Sequence, residues 1–455
     1  MSRLHRGHAE AGLLAAILVA QAILFARPLH SATNYDEGVY LASLDALRHG
    51  QALGSQVFAA QFPGFYDLLR GLSYLTGVGV APIRAGLLAV TLAGTVGGWL
   101  VGRRFGGREG GLLTAAFLTI APPLDLFSYQ VIADTPALAL TVLALGLATL
   151  PASAAAVASG CVFGAALSVK LTALTAAPAL LWLLRYRIRL ALAGFGSMLG
   201  LLALAHARAL DDLWTSAVTY HDQARSTPAV IPHPYHQIFD QIPRSTPFFW
   251  LAAAAIATVV AYLAANRHLR TWPLWLWVVL GLLFLLAHKP LHYNHLVVLP
   301  FALAVAAGAT LGAALERQRW PVRPAVTMVI ALLLVGAFAQ QWNRVAQADT
   351  PEPASNTAAA HALAQLTPSA ALTVDDRPII SFAAHRRLLG PLVDLARLRF
   401  ETGSLTDAKV IAELPQADAV VVSRTLRGRA KVLRYVRVHF SRRYDRDGVE
   451  IWVRR

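Results

Sequence analysis

Two adjacent carboxylates, Asp36 and Glu37, follow the first long apolar stretch of the chain, in the segment Asn34-Tyr35-Asp36-Glu37. A carboxylate within hydrogen-bond reach of a hydroxyl can remove its proton, so Asp36 is a candidate general base. Glu37 could orient the molecule that carries the hydroxyl, or it could hold a cation. The structural alternative is that Asn34 or Asp36 caps a helix, whose N-terminus also favours acidic residues.

A third carboxylate, Asp134, begins a later apolar stretch and is followed by Thr135-Pro136. It could belong to the same active site, or it could cap a helix that has proline in its first turn. Asp36, Glu37 and Asp134 could share a divalent cation, although their spacing does not establish a metal site.

Basic residues gather in the segment from Lys289 to His295, between two apolar stretches. Lys289, His292 and His295 could bind a phosphate at the membrane surface, and Tyr293 could contact the same substrate. The alternatives are that Lys289 only extends along the membrane to water and that Tyr293 belongs to the aromatic belt. Lys170 could reach the same face, but simple extension to water is the favoured interpretation.

Two further segments could shape a substrate groove. Gln61 and Phe62 precede Pro63-Gly64, and this mixture of turn-forming and aromatic residues indicates a structured loop. The segment from residue 208 to 247 is rich in polar side chains that could contact an acceptor, although most such residues are only solvated. These side chains are Asp211, Asp212, His221, Asp222, His233 and His236.

The composition places these residues in a membrane protein. Of the 455 residues, 56% are hydrophobic and 14% are charged, which is too few charges for a water-soluble protein of this length. The net charge of +15 is spread over short connections and the C-terminal region, so it indicates topology rather than a nucleic-acid surface. Cys161 is the single cysteine, which excludes an intrachain disulfide and a cysteine-based metal site.

About eleven apolar stretches are each long enough to cross a hydrocarbon core about 30 Å thick. They cover residues 11–29, 82–101, 110–128, 134–151, 153–169, 171–184, 190–207, 248–265, 273–288, 294–313 and 324–342. The first is followed by no small-residue cleavage site, so we expect it to remain in the protein as a helix.

Charged connections predict the orientation of these helices, because cytoplasmic connections are rich in lysine and arginine. With a cytoplasmic N-terminus, arginines fall in the alternate connections, whereas the short connections on the other side hold only Lys170 and Lys289. Two long loops, residues 30–81 and 208–247, then lie on the extracytoplasmic face. Residues 1–343 form the membrane domain, which carries the candidate catalytic residues. We expect it to lie in the plasma membrane of a bacterium.

Apolar residues recur at helical spacing after Asp36 and predict a helix that lies on the membrane surface. These residues are Val39, Tyr40, Leu44 and Leu47. In the second apolar stretch, Gly94 and Gly98 form a face of small residues, which is typical of closely packed helices rather than of a phosphate site.

The C-terminal region, residues 344–455, contains no stretch that could span a membrane, and it predicts a small extracytoplasmic α/β domain. Residues 371–374 and 419–422 have the apolar pattern of buried strands, and residues 426–434 could form a helix. Residues 436–440 and 449–453 suggest a hairpin that turns at Asp447-Gly448.

These features together resemble the GT-C superfamily of membrane glycosyltransferases, in particular the branch with the protein O-mannosyltransferases and the aminoarabinose transferase of lipid A. The resemblance covers nearly the whole chain. It is carried by Asp36-Glu37 after the first span, the aromatic-rich loop that follows, Asp134-Thr135-Pro136, and an external C-terminal domain.

The resemblance implies a polyprenyl-phosphate sugar donor, an inverting single displacement and Asp36 as the catalytic base. It also implies that Asp134 and the segment from Lys289 to His295 help to form the central cavity. Relatives commonly have a lysine before a proline in the first loop, where this chain has Gln61 and Phe62. Another cation must therefore steady the donor phosphate, either Lys289 or a metal ion.

The acceptor would be a hydroxyl on a protein, a lipid or a polysaccharide, and no nucleotide cofactor is expected because the chain lacks a Gly-x-x-x-x-Gly-Lys-Ser/Thr run. Two other classes remain as alternatives. A transporter or flippase would show internal repeats and polar residues in mid-membrane, whereas here the acidic residues gather at one face. A non-catalytic cell-envelope scaffold would tolerate substitution of Asp36.

Overall fold

The computed structural model describes residues 3–122, 127–227, 247–264, 269–289, 291–317 and 322–455. Its apolar segments are helical, because in a hydrocarbon core the backbone polar groups of a segment must pair within that segment. The helices up to the middle of the membrane domain are α1 (Arg3–Ala26), α2 (Tyr35–Arg48), α3 (Pro63–Thr76), α4 (Val80–Ile120), α5 (Asp134–Ala148), α6 (Ser153–Val169) and α7 (Ala177–Leu184).

The second half of the membrane domain continues this helical arrangement. Its helices are α8 (Ile188–Ala205), α9 (Leu210–Trp214), α10 (Tyr220–Arg225), α11 (Pro247–Ala264), α12 (Trp272–Ala287), α13 (Val298–Arg317) and α14 (Val322–Ala348). A π-helical turn, Thr215–Thr219, joins α9 to α10, and the short 3-10 helices Leu171–Ala176 and Tyr293–Val297 lead into α7 and α13.

A helical hairpin within α4 forms the centre of the membrane domain. Gly106 and Gly107 break the helix, and Gly107 has a φ of 59°, a conformation that glycine adopts without strain. The two arms then pack so closely that a methyl group on Gly102 would overlap the carbonyl oxygen of Gly110. The sequence predicts residues 82–101 and 110–128 as separate spans. They form the two arms of one hairpin, whose second arm ends at Ile120.

The hairpin packs against α5 and α13. A methyl group on Gly94 would lie 2.8 Å from the Ala139 backbone, and one on Gly98 would overlap Leu118. The prediction that these two glycines pack helices together is confirmed.

Several of the helices are long enough to cross a bilayer, which makes the chain a membrane protein. Among the described residues, five are long and apolar enough by themselves, and shorter apolar helices of 10–17 residues accompany them. The count of about eleven spans and the cytoplasmic position of the N-terminus stay predictions. The helix expected after Asp36 is present as α2, and its position on the membrane surface stays a prediction.

The C-terminal domain is a five-stranded sheet with helices, as expected from its sequence. Its elements are α15 (Ala354–Leu366), β1 (Leu372–Asp375), α16 (Ile379–Ala383), β2 (Arg387–Leu388), α17 (Arg397–Glu401), α18 (Asp407–Glu413), β3 (Ala419–Val422), α19 (Ala430–His439), β4 (Phe440–Arg446) and β5 (Val449–Arg454). The strand order is β2-β1-β3-β5-β4, with β2, β1 and β3 parallel and the last two pairs antiparallel.

Two details of this domain correct the sequence prediction. Residues 436–439 belong to α19 rather than to a strand, because Val432 and Val436 are spaced by four residues and both pack into the core of the domain. The helix expected at 426–434 accordingly begins at Ala430 and ends at His439. The hairpin turn at Asp447-Gly448 is present, and both residues have positive φ, as a two-residue hairpin turn requires.

The C-terminal domain docks directly on the first outer loop (residues 30–81), which includes α2. A single buried apolar cluster contains Leu41 and Leu44 of α2 together with Ile380 and Leu388 of the C-terminal domain. The backbones also meet: the Phe58 N–H donates a hydrogen bond to the Gly390 carbonyl oxygen at 3.2 Å. This contact fixes the position of the C-terminal domain against the first outer loop.

We expect Gly390→Ala to weaken this docking. A methyl group there would overlap the Gln56 carbonyl oxygen, so the two backbones would have to separate, at a cost of about 1–3 kcal/mol. The thermal unfolding midpoint in detergent should fall, and the amides of residues 52–58 should exchange hydrogen faster. Gly428→Ala is the control, because a methyl group at Gly428 meets nothing within 4 Å. Equal behaviour of the two variants would contradict the prediction.

Candidate active site

The first turn of α2 uses its two carboxylates differently. Asn34 and Glu37 form a reciprocal capping box, in which the Glu37 N–H donates to Asn34 Oδ1 and the Asn34 N–H donates to Glu37 Oε2. The cap expected of Asn34 is therefore confirmed. Asp36 takes no part in it and keeps its carboxylate available for other contacts.

Glu37 is held in a buried ion pair with Arg84 of α4. The Arg84 Nε and Nη2 atoms donate to the two carboxylate oxygens at 2.9 and 2.7 Å, and both side chains are fully buried. The Val131 N–H also donates to Glu37 Oε1 at 2.8 Å. The expectation that Glu37 contacts substrate or a cation is therefore wrong, because Arg84 and backbone donors already use both of its oxygens.

Arg84 also ties together the backbone that leads into α2. Its guanidinium donates to four carbonyl oxygens at the end of the first span, those of Pro28, Leu29, Ser31 and Ala32. A rigid planar guanidinium with five donors suits such a multiple contact. Through Glu37 and this segment, Arg84 sets the position of the neighbouring Asp36.

Asp36 faces a cavity. No described residue donates a hydrogen bond to its side chain, and the side chain is exposed to the cavity, which protein surrounds. Burial raises the pKa of Asp36 from 3.8 to about 6; the negative charge of Asp394 adds to this shift and Lys170 opposes it. A carboxylate with this pKa is ionised at neutral pH and is a stronger base than an ordinary aspartate.

Asp134 is the centre of a polar network next to this cavity. Its Oδ2 atom accepts hydrogen bonds from Lys170 Nζ at 2.7 Å and from Asn294 Nδ2 at 2.8 Å. The helix cap expected of Asp134 is absent, because it is the first helical residue and makes no capping bond. Lys170 does not extend to water as favoured above; its side chain is 12% exposed and binds Asp134.

The cavity has a volume of about 730 Å³ and is enclosed by five parts of the chain. These are the first outer loop, the turn between α6 and α7 that holds Lys170, the second outer loop (residues 208–247, through its described part), the end of α12 with the segment that follows it, and the C-terminal domain. Eight polar residues proposed from the sequence for the site line it: Asp36, Gln61, Lys170, Lys289, His292 and His295, and in the second outer loop His221 and Asp222. Gln61 also donates a hydrogen bond to the Tyr40 hydroxyl at 3.0 Å, which fixes one wall.

Three basic side chains line the cavity: Lys170, Lys289 and Arg225. Burial and the neighbouring Lys170 lower the pKa of His292, so this histidine is neutral at pH 7 and offers an N–H rather than a charge. Tyr293 is 51% exposed and does not line the cavity, so the structure does not place it with the other candidates.

No metal site is apparent in the part of the chain that the structure describes, where no group of three His, Cys, Asp or Glu side chains could hold an ion. The expected sharing of a cation by Asp36, Glu37 and Asp134 is not supported, because Arg84 pairs with Glu37 and Lys170 with Asp134. In the second outer loop, His221 and Asp222 line the cavity, whereas Asp211 and Asp212 do not. His233 and His236 lie outside the described residues.

Sequence reasoning missed three residues of this region. Arg84 is a charge within an apolar span, and such a residue is by itself a signal of a buried partner. Arg225 lies in a loop among several polar residues, and nothing in its spacing distinguishes it. Asp394 of the C-terminal domain lines the cavity together with Asp36, although 358 positions separate the two in the chain.

Comparison with known proteins gives structural but no sequence relatives. No family model and no curated protein matches the chain. Among solved structures, ArnT from Cupriavidus metallidurans bound to undecaprenyl phosphate has a TM-score of 0.70 at 16% identity, with 97% of each chain covered. The archaeal oligosaccharyltransferase AglB from Archaeoglobus fulgidus, in complex with an inhibitory peptide and a dolichol-phosphate, has a TM-score of 0.55 at 12% identity.

The AglB match covers 99% of this chain and 74% of AglB. The arabinofuranosyltransferase AftD from Mycobacteria has a TM-score of 0.55 at 15% identity, covering 100% of this chain and 40% of AftD. All three are GT-C glycosyltransferases, and identities this low show the fold alone. The resemblance to this superfamily is thus confirmed at the level of architecture: over nearly its whole length, the chain has the GT-C fold in its ArnT-like form.

Proposed function

We propose that the protein is a glycosyltransferase that moves a sugar from a polyprenyl-phosphate donor to an acceptor hydroxyl on the extracytoplasmic face of the membrane. The observation that carries this proposal is the position of Asp36. Its carboxylate accepts no hydrogen bond from a described residue, has a raised pKa and lines a cavity that Lys170, Lys289 and Arg225 also line, in a chain with the GT-C fold. A base and several cations in one cavity suit an inverting displacement of a phosphate leaving group.

Asp36 would take the proton from the acceptor hydroxyl as its oxygen attacks the anomeric carbon of the sugar. The bond between that carbon and the phosphate oxygen breaks at the same time, and the electron pair leaves with the polyprenyl phosphate. No oxidant and no nucleotide is needed, because the donor carries its own leaving group. The protein contributes position, a base, and charge opposite the departing phosphate.

Lys289 and Arg225 would meet the phosphate charge. Lys170 is already paired with Asp134, so its charge is largely used, and His292 is neutral at pH 7. Both ArnT and AglB have been solved with a polyprenyl-type phosphate bound, which supports a lipid-linked donor for the same fold. A divalent cation stays possible as a supplementary phosphate ligand, with no described cluster that would hold it.

The pH dependence of transfer should reveal the base. Because Asp36 must be ionised to accept a proton and its pKa is about 6, kcat/KM should fall below pH 6 and level off above it. Transfer would be measured from pH 4.5 to 8.5, with folding at each pH monitored by intrinsic fluorescence. A fall in kcat/KM centred near pH 4 would show that burial does not raise the pKa of Asp36.

The test of the proposed function is direct transfer. Purified protein in lipid nanodiscs would receive polyprenyl-phosphate sugars labelled with tritium, together with membrane lipid, protein and polysaccharide fractions as acceptors. We expect label to move from the lipid-linked donor into one fraction. Labelled nucleotide sugars, supplied without the lipid, should give none. Transfer from nucleotide sugars, or no transfer from any lipid-linked donor, would contradict the proposal.

A further inference from the structure

The C-terminal domain supplies part of the cavity wall. Asp394, Ala396 and Leu398 line the cavity, and they belong to the short segment before α17 and to the first turn of that helix. Arg399 fixes this segment: its Nη1 atom donates to the Asp394 and Pro391 carbonyl oxygens, and its guanidinium stacks on the Phe58 ring of the first outer loop at 3.5 Å. The segment is thus held rigidly against the membrane domain.

Within this segment, Asp394 is oriented by two donors on the same oxygen. The Tyr35 hydroxyl, from the first turn of α2, donates to Asp394 Oδ1 at 2.9 Å, and the Ala396 N–H donates to the same atom at 2.9 Å. Asp394 is only 5% exposed. Tyr35, which is the residue next to Asp36, and the backbone N–H of Ala396 therefore set the orientation of Asp394.

The second carboxylate oxygen of Asp394 has no donor among the described residues. Oδ2 accepts no hydrogen bond from these residues, although the side chain is nearly buried and lines the cavity. This oxygen is open to the cavity rather than sealed in the protein, so it is suited to accept a hydrogen bond from a ligand. The ligand group must be a donor, which means a hydroxyl or an ammonium rather than a phosphate.

We propose that Asp394 is a residue of the acceptor site, where its Oδ2 atom accepts a hydrogen bond from a second hydroxyl, or an ammonium group, of the acceptor molecule whose reacting hydroxyl Asp36 deprotonates. This inference rests on the proposed function. It gives the C-terminal domain a defined part in the site, because the acceptor would be held between α2 and this domain.

The distribution of charge favours the acceptor over the donor as the partner of Asp394. The donor phosphate is anionic and would be repelled by the paired negative charges of Asp36 and Asp394, whereas Lys289 and Arg225 attract it. The polyprenyl chain also requires the donor to enter from the membrane side, and Asp394 belongs to the domain that contains no membrane span.

The test compares Asp394→Asn with wild type in the transfer assay at pH 8, where Asp36 is ionised in both proteins. Asparagine keeps one oxygen, which can accept the hydrogen bonds of Tyr35 and Ala396. It removes the negative charge and replaces the ligand-facing acceptor Oδ2 with an NH2 donor. Loss of one charge-assisted hydrogen bond should raise KM for the acceptor about tenfold to hundredfold. KM for the lipid-linked donor and the thermal unfolding midpoint should stay unchanged.

Glu352→Gln is the matched control. Glu352 also joins the C-terminal region to the first outer loop, since its Oε2 atom accepts hydrogen bonds from the Thr33 N–H and hydroxyl, but it lies outside the cavity. An acceptor KM that rises equally in both variants would assign Asp394 to domain docking. A raised donor KM in Asp394→Asn, or an unchanged acceptor KM, would overturn the acceptor role alone. No transfer by wild type would overturn the proposed function itself.

Discussion

Asp36→Asn is expected to lower kcat for sugar transfer by about 10²–10⁴-fold, the range that a positioned general base contributes. The amide has the size of the carboxylate but cannot accept a proton at any pH used for the assay. The remaining transfer would come from positioning and from the charges opposite the phosphate, which the substitution leaves in place. Donor KM should therefore change little, and the loss should appear in kcat.

The fold should tolerate this substitution. Asp36 makes no hydrogen bond to a described residue, so asparagine breaks no contact of that kind. Folding raises the pKa of Asp36 from 3.8 to about 6. Ionisation of such an acid lowers the stability of the fold as the pH rises through this range. At pH 7 the neutral amide should consequently leave the thermal unfolding midpoint unchanged or slightly higher.

Asp45→Asn provides the comparison on the same helix. Asp45 lies nine residues after Asp36, about two and a half turns of α2, so it is on the opposite face and outside the cavity. Its contact with His49, at 3.5 Å, is a partly exposed pair of small energetic value. Wild-type transfer by Asp36→Asn, or an equal loss in Asp45→Asn, would refute the assignment of Asp36 as the base.

The local features of the site followed from sequence because short-range rules govern them. The spacing of Val39, Tyr40, Leu44 and Leu47 predicted α2, and Asn34 followed three residues later by Glu37 is the pattern of a capping box. The sequence left open whether Asn34 or Asp36 is the cap, and the resemblance to membrane glycosyltransferases implied that Asp36 is the base. In these cases the interacting residues lie within a few positions of each other.

The long-range features could not be obtained in this way. Whether Lys170 reaches water or Asp134 depends on how α5 and α6 pack, and no periodicity of a single helix contains that information. Glu37 was misassigned for the same reason, since its partner Arg84 belongs to another helix. Asp394 required the docking of a separate domain, and a lone aspartate in a water-exposed domain gives no signal, because most such residues are solvated.

Two neighbouring carboxylates in the first turn of α2 have different roles. Asp36 and Glu37 are neighbours in sequence, yet one faces the cavity and the other is buried with Arg84. The arrangement allows a rigid, fully bonded glutamate to fix the backbone from which a free aspartate projects. A base that must be placed within hydrogen-bond reach of a hydroxyl needs such support, because small displacements of a catalytic group cost large factors in rate.

Arg84→Met should therefore be the most destabilising single change in this region. It leaves the buried Glu37 carboxylate without its cation and removes the donors to four carbonyl oxygens, and breaking one partner of a buried pair costs about 3–5 kcal/mol. The unfolding midpoint in detergent should fall accordingly. Transfer should be lost even in the protein that stays folded, because Asp36 loses its fixed position.

Arg103→Met is the control for charge alone, since Arg103 pairs with Glu10 at 3.0 Å but its side chain is 52% exposed, and Glu10 keeps a second donor in Trp99 Nε1. The double variant Arg84→Met/Glu37→Gln tests the pairing: without a buried carboxylate charge, it should lose clearly less stability than the sum of the two single variants. Additive losses would mean that Arg84 acts through the carbonyl oxygens rather than through Glu37. A small loss in Arg84→Met, comparable to that in Arg103→Met, would show that this buried pair does not organise the site.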